Sequence, residues 1–159
     1  MELPYDLTLH YHYTDFGETA AYLIKKGYKV DIFDGGVLSY LKKDYIDKLL
    51  NNYDFLIILS YVHNTHSALR SAELCKQISP NTKVMIFGPV CYYVPKILEK
   101  ECVDGYVCDG DWEDSILSFV EFHLGRINKD NVRGIAIKEN NYEPKKGSWL
   151  DSDEWCFPQ

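Results

Sequence analysis

The chain's histidines, its Ser/Thr-bearing loops and two glycine turns are the residues whose types and spacing could do chemistry. His10 and His12 stand at i and i+2, so on a strand they share a face and could ligate one metal ion. His63 and His66 lie in Ser60-Tyr-Val-His-Asn-Thr-His66, directly after the apolar run Phe55–Leu59, with Ser60 and Thr65 as hydrogen-bonding neighbours. Gly88-Pro89 closes a second apolar run, and Gly110-Asp111 lies in the acidic turn Asp109-Gly-Asp-Trp-Glu-Asp114. Cys91 with a nearby histidine would make a nucleophile–base pair, but no spacing supports one. Plainer roles compete with each: histidines satisfied in the core or solvated, Trp112 as packing, loops that merely turn the chain.

Several chemistries are excluded by missing motifs. Only Gly17 follows the first strand-like segment, so no G-x-G-x-x-G supports a dinucleotide site, and no P-loop sequence occurs. Response-regulator chemistry needs an Asp at the end of the third strand, where Ser60 stands. A net charge of −7 and scattered Lys pairs argue against nucleic acid. The five cysteines form no C-x-x-C, which points to reduced thiols rather than a closed zinc or iron–sulfur site. No apolar run nears the roughly 20 residues that span a bilayer, and Met1–Asp6 lacks a secretory pattern. The expectation is a cytoplasmic protein without a membrane partner.

The elements that must position these residues alternate. Phe55–Leu59 is apolar on both faces, the mark of a central parallel strand covered by helices. Before it, the spacing predicts a strand over Asp6–Tyr13, a helix through Ala20, Leu23 and Ile24, a strand over Tyr28–Phe33 and a helix from Leu38 to Leu50. After it come a helix ending at Ser79-Pro80, a strand Lys83–Phe87, a short helix near Pro95, a strand Val103–Cys108 and a helix Ser115–Leu124. A hairpin around Glu139-Asn-Asn141 and an aromatic tail with Trp149, Trp155 and Phe157 follow. The expected fold is a doubly wound, flavodoxin- or Rossmann-like α/β domain over residues 1–126, with five parallel strands and helices on both faces. Residues 127–159 would be the hairpin and a linker-like tail. Such sheets bind ligands at the carboxyl ends of their strands, at the topological switch point.

Five motifs in order then resemble one family. They are Ala21-Tyr-Leu-Ile-Lys-Lys-Gly27 leading to Val30-Asp-Ile-Phe-Asp34; Tyr53-Asp-Phe-Leu-Ile-Ile-Leu-Ser60; Pro80-Asn-Thr-Lys-Val-Met-Ile-Phe-Gly-Pro89; Val103-Asp-Gly-Tyr-Val-Cys-Asp-Gly-Asp-Trp-Glu113; and Val132-Arg-Gly-Ile-Ala136. Together they resemble the N-terminal cobalamin (B12)-binding domain of B12-dependent radical SAM enzymes, over about residues 15 to 150. The resemblance implies that Ser60, His63, Thr65, Gly88, Pro89, Gly110 and Asp111 line a cobalamin site. It also implies a radical SAM catalytic domain as partner, in the same or another chain.

The departures are specific. C-x-x-x-C-x-x-C is absent, so this chain holds no iron–sulfur cluster motif and is not expected to catalyse alone. D-x-H-x-x-G is absent too, leaving His12 as the position nearest to a lower cobalt ligand. Phe87 replaces one glycine of the family's Gly-Gly and would narrow a groove for the nucleotide tail. Two rivals follow: a cofactor-free descendant acting as an interaction or scaffold module that docks on a partner or on itself as a homo-oligomer, and a flavodoxin-like flavin carrier, for which Thr14-Asp15-Phe16 is a poor phosphate loop.

Overall fold

The computed structural model describes residues 14–33, 42–93, 96, 99–138 and 143–155. In chain order these form α1 (Thr14–Lys25), α2 (Lys42–Leu49), β1 (Phe55–Leu59), α3 (Thr65–Ile78), β2 (Lys83–Phe87), α4 (Val90–Tyr93), β3 (Gly105–Val107), α5 (Trp112–His123) and β4 (Ile135–Ile137). The strand expected over Asp6–Tyr13, with His10 and His12, lies outside the described residues, as does the Asp34-Gly-Gly36 loop.

Local signals set the helix limits. α3 stops where Pro80 cannot continue it, and the Ser79 N–H donates to the Cys75 carbonyl at 2.7 Å. α5 begins at Trp112, three residues earlier than the apolar spacing predicts, because Glu113 and Asp114 suit the positive end of a helix dipole.

The sheet departs from the expected five parallel strands. Among the described residues, four strands stand in the order β1-β2-β3-β4; the first three run parallel and β4 runs antiparallel to β3. Two physical causes account for the difference. Tyr28–Phe33 has the alternation of a strand but joins no ladder among the described residues. Its side chains are engaged elsewhere: Tyr28 with Glu121 and Arg126, Asp31 with Lys48 and Tyr53, Phe33 on the Tyr45 ring, while Ile32 is exposed. At the other end, the chain after α5 returns through a 3₁₀ turn at Lys129–Asn131 to the carboxyl end of β3. There the Cys108 N–H donates to the Gly134 carbonyl at 2.8 Å, so the next strand must run backwards. The segment read as one arm of a hairpin is thus the fourth strand of the sheet.

Helices cover both faces. Leu56, Ile58, Val84, Ile86 and Tyr106 pack with Leu49 of α2, Ala72 and Cys75 of α3, and Val90 and Cys91 of α4. Phe55, Ile57, Leu59, Met85, Phe87 and Val107 point the other way, to Leu23 of α1 and to Ile116 and Phe119 of α5. Period-2 alternation of apolar residues on both faces is what a covered sheet requires. No helix among the described residues is long and apolar enough to cross a membrane.

Candidate functional site

β1, β2 and β3 deliver their following loops to one edge of the sheet. The loops after β1 and β2 are sewn together by backbone. The Ser60 N–H donates to the Phe87 carbonyl at 2.8 Å, and the Val90 N–H donates to the Ser60 carbonyl at 3.3 Å. Gly88 has φ +109°, and a Cβ there would lie 2.6 Å from the Ser60 carbonyl oxygen. Glycine is what allows the two loops to touch.

Ser60 is fully buried, its hydroxyl facing the Asn64 Oδ1 at 3.2 Å, and the same oxygen accepts the Tyr61 N–H at 2.8 Å. Thr65 turns its hydroxyl to the Tyr61 and Val62 carbonyls at 3.1 and 2.9 Å, shaping the turn into α3. His63 is exposed and stacks on Tyr61, ring centroids 5.7 Å apart and planes 11° apart. Val62 in this loop is exposed, as are Tyr92 and Tyr93 one helical turn beyond Gly88-Pro89. The sequence marks Ser60, His63, Thr65, Gly88 and Pro89; it does not mark Asn64, the residue that ties the loop.

The third loop is covered. Gly110 has φ +77°, and a Cβ there would meet the Ser148 carbonyl at 2.6 Å and the Gly147 Cα at 2.7 Å. Asp109 Oδ2 accepts the Gly147 N–H at 2.8 Å, Asp111 Oδ2 accepts the Leu150 N–H at 2.6 Å, and the Ser148 hydroxyl donates to Asp114. The chain's own segment 143–155 therefore crosses Gly110 and Asp111. Its Trp149 and Trp155, which resemble anchors in the sequence, are 75% and 60% exposed. Phe157 lies outside the described residues.

Neither of the described cysteines near this edge is poised as a nucleophile. Cys91 is buried with its thiol 3.5 Å from the Ile86 carbonyl, and burial pushes its pKa up to about 12. Cys108 is likewise raised by burial to about 11. A thiol that stays protonated is inert. Among the described residues, no three His, Cys, Asp or Glu side chains gather as a metal site. An open cleft of about 590 Å³ lies away from this edge, between the end of α3 and residues 99–102. Three glutamates and two lysines line it and Lys76 is already paired with Asp104, so the charge left over is acidic and offers nothing to an anionic ligand.

Glu113, beside the covered loop, titrates abnormally. Burial raises its carboxyl above the ordinary range; Asp111 and Glu18 add to this, and a hydrogen bond from its own backbone and one from Thr19 oppose it. The folded protein thus holds this proton more tightly than the unfolded chain. Its contribution to stability is fullest below the ordinary carboxyl value and is lost as pH rises through the raised one. Glu113→Gln should therefore melt a few degrees above the parent at pH 7. The gap should close near pH 4; thermal melts at both pH values check it, and a parent that melts higher at pH 7 would refute the assignment.

A cobalamin fit can be tested on this geometry. The Tyr61–His63 stack, with His63 exposed, and the exposed Val62, Tyr92 and Tyr93 put aromatic and apolar area on the loops of this edge, which suits a broad ring. The crevice expected to take a nucleotide tail, between the Asp6–Tyr13 segment and β1, lies outside the described residues, while the neighbouring gap between the β1 and β2 loops is closed by Gly88 against Ser60. Compared with known protein families and with curated proteins, the chain matches no family model and no curated sequence.

Proposed function

We propose that this chain is a cobalamin-binding module that serves a radical SAM catalytic partner. The observation that carries the reading is the ring stack of half-buried Tyr61 and exposed His63 on the closed Ser60–Gly88 junction, at the carboxyl edge of three parallel strands. Cobalamin, when bound, supplies organometallic group transfer; the chain supplies position. Tyr61, Val62 and Tyr92 offer apolar area to the ring, and His63 offers a polar nitrogen at its margin. The rigid junction beneath them keeps that platform in place. His12 keeps its standing as the lower-ligand position to test.

A cofactor-free interaction module is the second reading. It is favoured by the cover over Gly110 and Asp111 and by the two exposed tryptophans on that cover.

The test is a visible-absorbance titration of purified protein with hydroxocobalamin, followed by gel filtration. Spectral shifts with stoichiometric co-elution are expected. His63→Ala with Tyr61→Ala should weaken binding about tenfold or more, the loss of a stacked pair and its buried area. An unchanged spectrum and no retention at saturating cofactor would sink the reading in favour of the interaction module, and a His12→Ala variant with altered visible bands would identify the lower ligand.

A further inference from the structure

Residues 143–151 have no regular structure, and none of their side chains is buried. Yet this segment is held across the carboxyl end of β3 by a dense set of bonds. The Gly134 N–H donates to the Lys145 carbonyl at 3.0 Å and the Asp111 N–H to the Ser148 carbonyl at 2.9 Å. Asp109, Asp111 and Asp114 accept from Gly147, Leu150 and Ser148 in turn. Beyond it, Glu154 lies 3.7 Å from Lys26, an exposed pair of little weight.

From these contacts we infer that the segment is a removable strap, clasped by Asp109 and Asp111 and displaced when the carboxyl edge takes its ligand. The inference rests on the cobalamin reading and adds a regulatory step to it. Two features make the strap displaceable. None of its side chains is fully buried, Leu150 being half-buried at most, so opening exposes little apolar surface of its own, and segments of that kind populate the low-stability end of a protein's openings. Its hold is also chemically interchangeable: two carboxylates accepting backbone amide N–H groups would accept equally from the side-chain amides that fringe a corrin ring. Ligand amides and strap amides thus compete for the same oxygens.

Gly147→Ala separates the strap from its clasp without touching the carboxylates. A Cβ at Gly147 would lie 2.3 Å from the Asp109 carbonyl oxygen and 2.6 Å from its carbon, both backbone atoms that cannot step aside. Trypsin cleavage after Lys145 and Lys146 should then accelerate about tenfold or more, as the open population rises. In parallel, the hydroxocobalamin Kd should fall roughly fivefold, since the closed state no longer taxes binding. Ser148→Ala, which removes only the bond to Asp114, should move both readouts the same way by less, and it decides the question if Gly147→Ala does not fold. In the parent protein, hydroxocobalamin should itself speed the cleavage.

Unchanged cleavage in both variants overturns the clasp. Faster cleavage with equal or weaker cobalamin binding overturns the cover, leaving the strap as part of the wall. If parent and variants all fail to bind hydroxocobalamin while remaining folded, the cobalamin reading falls and the strap inference falls with it, an outcome distinct from the other two.

Discussion

Replacing Gly88 with alanine should lower stability by about 3 kcal/mol and the melting temperature by roughly 10 °C. Two penalties coincide at this position. A φ of +109° is a backbone conformation that L side chains rarely adopt, and the added Cβ would lie 2.6 Å from the Ser60 carbonyl oxygen and 2.9 Å from a Leu59 methyl. Neither neighbour is free to move. The Ser60 carbonyl accepts the Val90 N–H, its N–H donates to Phe87, and Leu59 belongs to the packed face beneath α1 and α5. Gly27 supplies the control, because its φ is +92° but a Cβ there meets nothing within 4 Å. Gly27→Ala should therefore show the backbone penalty alone, about 1 kcal/mol. Calorimetric melts of both variants measure the difference. Equal losses would mean that the β1 and β2 loops are not locked together, and the rigid platform under Tyr61 and His63 would lose its basis.

Much of this junction is legible in the sequence, and the reasons are physical. Phe55–Leu59 and Lys83–Phe87 read as strands because runs apolar on both faces have one comfortable place, a sheet covered twice. Ser60, Gly88 and Asp109–Asp111 read as loop residues because small and hydrogen-bonding side chains end such runs. What pattern could not show is whether a loop opens to solvent. Ser60 looks available in the sequence and is fully buried; Gly110 looks like a place for close ligand approach and is approached by Gly147 instead. Alternation misled over Tyr28–Phe33, since period 2 reports which face is apolar and not whether a ladder partner exists. β4 was misjudged for the opposite reason. Arg133–Ile137 resembled one arm of a local hairpin, but its direction was set by the return path after α5, a non-local contact between Gly134 and Cys108. The crossing of segment 143–151 over the β3 loop has one local signal in the sequence, the glycine in Lys145-Lys-Gly-Ser148, and its partner is an acidic turn 38 residues away.

Asp104→Ala should be nearly as damaging as the Gly88 change, at about 3 kcal/mol, while leaving ligand affinity intact. Asp104 stands in the Val103-Asp-Gly motif. The structure puts it at the amino end of β3, the opposite edge from Tyr61 and His63. One carboxylate oxygen there accepts the Val84 N–H at 2.7 Å and the Lys76 ammonium at 2.6 Å, while the Asp104 N–H donates to the Val84 carbonyl at 2.8 Å. Val84 is fully buried, so deleting the carboxylate strands an N–H that faces β3 with no carbonyl to replace it. It also leaves a partly buried ammonium with only the Thr82 carbonyl, at 2.7 Å. Removing both partners should hurt less than the sum: in a cycle with Lys76→Met, a coupling of about 1–2 kcal/mol is expected from urea denaturation at pH 7. Asp104→Asn should fall between, because its amide oxygen can still accept from Val84 but no longer carries the charge. If Asp104→Ala unfolds no more easily than Glu73→Ala, an exposed acid on the same helix as Lys76, then the carboxylate is a surface group and β3 is registered by its backbone alone. If instead stability holds and cobalamin affinity drops, the motif belongs to the ligand after all, and the assignment of the site to the opposite edge would have to be abandoned.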